Sequence, residues 1–204
     1  TKHHEVDSNI ILVKNKNKRH QIYGKSNYDI ICLQETHWNE RCMKEVEDEW
    51  RGEVFANNGD GNARGVAILT KKGVIGNVRR CEDEGDGRMI GIKFEYKNEE
   101  MKLVNVYMPN EEKERKVMIE KMGTMCDDNC MIVGDFNVWC EKLDVSTNMH
   151  FKNDTTREVL KKLKSMKGLS DVWRERNPER RAFSRTQLVK GELKQSRIDL
   201  VLST

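Results

Sequence analysis

The apolar residues of this chain are gathered into short, dense runs, and that grouping limits the fold more than any other feature. The runs are residues 10–13, 28–33, 65–70, 89–96, 101–107, 131–134 and 198–202. Several are rich in β-branched residues and bounded by Gly, Asn or Asp, as buried strands are. None approaches the ~20 residues a membrane span needs. The run Ile10-Ile11-Leu12-Val13 is also too short for a signal-peptide core, so no secretion is expected. Asn98-Glu99-Glu100 between two runs reads as a hairpin connection.

Helical spacing appears between the strands. Residues 42–50 place Met43, Val46 and Trp50 on one face. Residues 111–125 do the same with Val117, Met118, Met122 and Met125, a Met-rich face that reads as ordinary core. Residues 155–166 carry Val159, Leu160, Leu163 and Met166, with Asn153-Asp154-Thr155-Thr156 as the N-terminal cap. There is no Rossmann glycine fingerprint and no phosphate-binding P-loop. Alternation of this kind predicts a mixed α/β domain with two packed sheets or one large one. At 204 residues, with no internal repeat or long linker, residues 1–204 form a single domain.

Composition alone points elsewhere. Charged residues are 35% and hydrophobic ones 36%, with a mean hydropathy of −0.81, averages that lean toward disorder. The grouping into runs overrides them. Lys and Arg total 37 against 34 acids, a net +3 too balanced for a polybasic binder. The two prolines and 14 unperiodic glycines exclude collagen-like and Pro-rich classes. The six cysteines form no zinc pattern and are expected as free thiols. Cys126 and Cys130 flank a polar turn before a strand.

Four short constellations carry chemistry. Residues 29–35 end in the pair Gln34-Glu35, and a carboxylate at the end of a buried strand suits Mg²⁺, which takes one or two protein carboxylates. In Gly134-Asp135-Phe136-Asn137, residues two apart on an extended chain share a side, so the Asp can activate a water while the Asn amide donates to a phosphoryl oxygen. Tyr107 ends a strand before Pro109-Asn110, where a phenol can meet a phosphate or a carboxylate. Ser196-Arg197-Ile198-Asp199 opens the last strand with phosphate-contact residue types and an acid. Each has an ordinary alternative: a solvated Glu, a turn, a packing aromatic, a surface ion pair.

In this order the set resembles the endonuclease/exonuclease/phosphatase superfamily. Cys32-Leu33-Gln34-Glu35-Thr36-His37, Gly65-Val66-Ala67-Ile68-Leu69 and Asp171-Val172-Trp173-Arg174 resemble the endonuclease domains of LINE-type (non-LTR) retrotransposons. The resemblance runs from about Asn9 to the last residue. It implies a DNase I-like fold: a four-layer α/β sandwich of two packed mixed β-sheets flanked by helices. It implies Mg²⁺-dependent nicking of double-stranded DNA, with Mn²⁺ as substitute, leaving a 3′-hydroxyl that primes reverse transcription. By the same resemblance Glu35 and Asn9 are metal-side residues. Tyr107, Asp135, Asn137 and Asp199 join Glu35 in catalysis. Asn110, Ser184, Ser196, Arg197 and His37 contact DNA. Basic residues in 14–19, Arg79, Arg80 and residues 174–185 are further phosphate contacts. The chain is then a monomer within a polyprotein that carries a reverse transcriptase downstream, made in the cytoplasm and working in the nucleus without a membrane.

The chain departs from the family pattern in places. Arg185 stands where the family has an aromatic after the hydroxyl residue, here Ser184. With the register set by Lys18-Arg19-His20, Ile11 and Leu12 replace the second Asn and the Gly of the opening turn. The family's catalytic histidine lies in a Ser-Asp-His triplet beyond the last strand seen here, so the resemblance implies a C-terminally incomplete domain. None of the five histidines fills that role: His37 follows the metal-ligand Glu and His150 lies in a polar loop. Loss of one transition-state group costs about 10²–10³ in rate. Competing readings are a catalytically inactive relic or nucleic-acid-binding module of the same fold, a superfamily phosphatase or deadenylase, and an apurinic-site nuclease.

Overall fold

Side chains alternate between the two faces of a strand, and that alternation sorts the core into separate layers. The computed structural model describes residues 10–14, 28–59, 63–83 and 85–204. The smaller sheet has four strands: β1 (Ile10–Lys14), β2 (Ile30–Gln34), β3 (Gly52–Asn57) and β4 (Val66–Lys71), in the order β1-β2-β4-β3. The larger has six: β5 (Gly76–Asp83), β6 (Met89–Tyr96), β7 (Glu99–Tyr107), β8 (Cys130–Asp135), β9 (Ser170–Asp171) and β12 (Asp199–Ser203). Its order is β5-β6-β7-β8-β12-β9. A separate hairpin joins β10 (Arg185–Val189) to β11 (Glu192–Ser196).

Both large sheets are mixed. β1 runs parallel to β2 and β7 parallel to β8, while the other pairs are antiparallel. Ile30, Cys32, Val66 and Ile68 of the small sheet meet Ile90, Ile92, Leu103, Met131 and Val133 of the large one. The opposite faces take helices. α1 (Glu40–Glu49) lays Val46, with Trp50, on Ile31, Leu33, Ala67 and Leu69. α2 (Glu112–Met125) and α3 (Thr156–Lys167) bury Met118, Ile119, Met122, Leu160 and Leu163 against Val104, Val106 and Ile132. The layers are helix, sheet, sheet, helix, the four-layer sandwich expected.

Local chemistry sets the ends. Asn39 Oδ1 accepts from Cys42 N at 2.9 Å and caps α1. Asp154 Oδ1 accepts from Thr156 N at 2.9 Å at the start of α3, and Gly168 closes it at φ 65°. The β6–β7 turn falls on Lys97 and Asn98, with φ of 52° and 65°, so the second strand begins at Glu99, inside the expected connection. Gly134 has φ 139°, and a Cβ there would lie 2.0 Å from Val106 O, so the parallel approach of β8 to β7 demands glycine.

Each expected apolar run overlaps a strand, and each periodic stretch a helix. The structure adds β3, β5, β9, the β10–β11 hairpin and a short helix, α4 (Val172–Arg176). Val117 and Met166, assigned to buried helix faces, are exposed instead. No helix among the described residues is long and apolar enough to cross a membrane.

Candidate active site

The strand registers assemble the site. Tyr107 pairs with Asp135 across β7 and β8, and Asp135 pairs with Asp199 across β8 and β12. Each is separated by an even number of residues from a neighbour facing the inter-sheet gap: Leu103, Met131 with Val133, and Val201. All three therefore face the gap at its open end. On the opposite sheet β2 stops at Gln34, and the chain then turns sharply. Glu35 has φ 54° and His37 φ 49°, costly for residues with a Cβ and typical of functional sites. Thr36 N and His37 N donate to Gly65 O (3.1 Å) and Arg64 O (2.9 Å), which holds the turn. A Cβ on Gly65 would meet Thr36 Oγ1 at 2.2 Å. The turn brings Glu35 to Tyr107, whose hydroxyl donates to Glu35 Oε1 at 2.7 Å across the two sheets.

Burial, the hydrogen bond to Glu35 and the nearby charges of Glu35 and Asp135 push the Tyr107 phenol well above its ordinary range. At neutral pH it stays a donor. Arg88, assigned no role from the sequence, lies 5.5 Å from the Tyr107 ring centre and donates to Tyr107 O at 3.3 Å. Asp135 is 3% exposed. Its Oδ1 accepts from Asn137 N at 2.9 Å, and Asn137 Nδ2 donates to Met108 O at 2.7 Å. Asn137 has φ 47°, so this is a tight Asp-capped turn and not an extended segment. The turn and the paired side chains are one arrangement. The second hydrogen of the Asn137 amide can serve another acceptor.

The DNA-contact assignments fare unevenly. Asn110 is exposed, and its carbonyl accepts from the buried Arg115. His37 is half-buried in the Glu35 turn, and His150 is exposed in a loop. Ser184 Oγ accepts from Ile198 N and Asp199 N, each at 3.1 Å, so it holds the start of β12. Ser196 and Arg197 face inward. Ser196 is buried. The Arg197 guanidinium is buried and donates to Asp144 Oδ1 (2.8 Å) and to both oxygens of Asp171 (3.2 and 2.8 Å). Its hydrogen-bonding face meets carboxylates, which leaves no open fork for a phosphate. Arg174 is likewise buried on Asp144 (2.6 Å), and Arg79 pairs with Glu100. Asn9 and residues 15–19 lie outside the described residues.

The donors at this end of the gap are hard oxygens. Glu35 Oε1 carries the Tyr107 bond, which leaves its other oxygen for a cation. Gln34 Oε1, beside it in the chain, is buried with no hydrogen-bond donor among the described residues. No cluster of three His, Cys, Asp or Glu side chains able to hold a metal occurs among the described residues. A closed zinc-type cage therefore has no basis there, whereas a single carboxylate fits Mg²⁺, which keeps most of its waters.

A model of the Endonuclease/Exonuclease/phosphatase family matches residues 15–204. A Xenopus laevis protein named transposon TX1 uncharacterized 149 kDa protein is 32% identical over 179 residues, covering 85% of this chain. The chain spans only 14% of that relative's length. Among solved structures, an AP endonuclease from Archaeoglobus fulgidus superposes with a TM-score of 0.74 at 23% identity, over 96% of this chain and 86% of that one. The endonuclease domain of TRAS1, a telomere-specific non-LTR retrotransposon, gives 0.66 at 13% identity, over 96% and 84%. The Xenopus laevis APE2 catalytic domain gives 0.71 at 17%, over 95% and 81%. These likenesses show a shared fold.

Proposed function

The chain belongs to the endonuclease/exonuclease/phosphatase family, and from that premise we propose that it is the metal-dependent DNA-nicking domain of a retrotransposon protein. One observation carries the reading: the Glu35–Tyr107 hydrogen bond across the sheets sets a carboxylate opposite Asp135 and Asp199 at one open end of the gap.

The residues then have separate tasks. Glu35 would hold the cation through the oxygen Tyr107 leaves open, and the Tyr107 hydroxyl fixes that carboxylate in place. When bound, Mg²⁺ or Mn²⁺ supplies Lewis-acid polarisation of the phosphate and offsets charge on the leaving oxygen. Asp135 accepts a proton from the attacking water. Its orientation is set by the Asn137 N–H. The remaining Asn137 amide hydrogen donates to a phosphoryl oxygen. Asp199, next to Asp135 in the ladder, is the second carboxylate on that side of the gap. Water forms the new P–O bond, the bond to the 3′ oxygen breaks, and that oxygen takes up a proton as the 3′-hydroxyl.

The 149 kDa transposon relative, of which this chain matches 14%, supports a place within a larger protein. In that setting the 3′-hydroxyl would prime a downstream reverse transcriptase domain, and the work would be done in the nucleus on double-stranded DNA. We read the domain as a monomer. His37 and Asn110 would contact the DNA, and Asn9 would stand with Glu35 on the metal side.

The test is nicking of supercoiled plasmid with Mg²⁺ or Mn²⁺, by this chain and by the same chain extended at its C-terminus along its own reading frame. Open circles whose ends a polymerase extends, lost in Asp135→Ala, support the reading. No nicking by either folded protein sinks it and leaves a nucleic-acid-binding module. Cleavage confined to abasic duplex, or turnover of an inositol phosphate or oligoadenylate instead, transfers the site to another member activity.

A further inference from the structure

Two buried amides lie between the acids and the apolar gap. Asn105 stands on β7, two residues before Tyr107 and on the same face. Its side chain is fully buried, and its hydrogen bonds among the described residues all cross to the other sheet. Its Oδ1 accepts from Gln34 Nε2 at 2.6 Å. Its Nδ2 donates to Leu33 O and to Ala67 O, both at 2.9 Å. Leu33 and Ala67 are register partners on β2 and β4, so one amide grips two neighbouring strands of the facing sheet.

The surrounding gap is apolar: Cys32, Val66, Leu103 and Val133 are its neighbours along these strands. An apolar side chain would fill such a place well enough for packing. A buried amide does something different. Apolar contacts tolerate sliding of one sheet over the other, whereas hydrogen bonds inside a dry gap hold only in one alignment. Gln34 is the last residue of β2 and Glu35 follows it directly. The two sheets are thus joined by two successive rungs: Gln34 to Asn105, then Glu35 to Tyr107 at 2.7 Å. The first rung is buried and the second opens to solvent. Gln34 Oε1 remains, buried and without a donor among the described residues.

We infer that the Gln34–Asn105 amide pair is a positioning element for the cation site: it fixes the sheet-to-sheet alignment that presents Glu35 to a divalent ion, and is not merely core. This rests on the metal-dependent reading above. Neither amide is a catalytic residue, since both act through Glu35. Outer partners of metal ligands typically contribute 10–100-fold in metal affinity.

The experiment is Mn²⁺ binding to the 204-residue chain, read by loss of the free-ion electron paramagnetic resonance signal, alongside thermal melting without metal. Gln34→Met and Asn105→Leu are compared singly and together, with Glu35→Gln as reference. The double variant replaces both polar partners by apolar groups, so its stability should recover relative to the singles. A packing role predicts that Mn²⁺ affinity recovers with it. A positioning role predicts affinity still down about 10–100-fold in a folded, cooperatively melting protein. Folded variants that bind Mn²⁺ like the wild type overturn the inference while the metal reading stands. Should Asn105→Leu fail to fold, Gln34→Met decides alone, by the same comparison. A wild type that binds no Mn²⁺, or a Glu35→Gln variant that binds it normally, fells the metal reading at Glu35 and this inference with it.

Discussion

Two polar clusters meet at the start of β12, two residues apart in the chain, and they are built on opposite principles. Asp199 belongs to one and Arg197 to the other. Around Arg197 opposite charges are matched. Asp144, fully buried, accepts from Arg174 (2.6 Å) and Arg197 (2.8 Å), and Asp171 receives Arg197 in a two-pronged grip. The Trp173 ring lies 5.0 and 5.1 Å from the two guanidinium carbons. Around Asp199 acids predominate: Asp135 lies beside it in the ladder, and Tyr107 feels both Asp135 and Glu35, with Arg88 as the nearby cation. A matched cluster needs nothing further and holds the fold. A gathering of carboxylates is tolerated where a cation or a proton in transit offsets it. On the proposed reading, the contrast separates a structural motif from a reactive one within a single strand end.

Substitutions should divide along that line. Asp135→Ala is expected to lower nicking by about 10²–10⁴-fold, the range for a general base, and to cost only about 1 kcal/mol of stability through the lost bond from Asn137 N. Arg197→Ala should do the reverse. It leaves Asp171 buried without its guanidinium, and removing one partner of a buried pair costs about 3–5 kcal/mol. Urea denaturation measures this directly. An Arg197→Ala protein as stable as wild type but weaker on DNA would restore the phosphate-contact reading and erase the contrast.

Tyr107→Phe tests the middle ground, because Tyr107 touches the acidic cluster but packs as part of the gap. The ring stays, and the bond to Glu35 is lost. Mn²⁺ affinity is expected to fall about 10-fold, with a stability change of about 1 kcal/mol. A loss of stability without loss of affinity would assign Tyr107 to the core.

What the sequence made legible depends on the same physics. Strands β2, β4, β6, β7, β8 and β12 stand out because both of their faces are covered, which forces apolar runs. The β10–β11 hairpin escapes notice because Arg185, Thr186 and Gln187 are all exposed and carry no alternation. β5 is an edge strand with register breaks and the charges Arg79 and Arg80. In the site, Tyr107, Asp135 and Asp199 are readable because each closes or opens a buried strand, and Glu35 and Asn137 because they follow one within two residues. The partners of Arg197 are not: Asp144 and Asp171 lie 53 and 26 residues away, and only the fold brings them together. Gln34 and Asn105, 71 residues apart, were hidden for the same reason.

The smallest effect is the one most specific to Tyr107. Burial, then the bond to Glu35, raises its phenol above the ordinary value of 10.0. For a group whose folded pKa is raised, the stabilisation is complete below the unfolded pKa and drains away as pH climbs through the folded one. Between those limits the unfolded chain has released the proton and the native state still holds it, so unfolding is favoured by rising pH. Wild-type stability should therefore be insensitive to this group below about pH 10 and decline above it. Tyr107→Phe should lack that component of the decline. Stability measured by urea at closely spaced alkaline pH values, wild type against variant, isolates it from the other tyrosines and lysines. Parallel curves for the two proteins would mean the phenol is no more buried or acid-bound than an ordinary one, and that the rung from Glu35 to Tyr107 is open in solution.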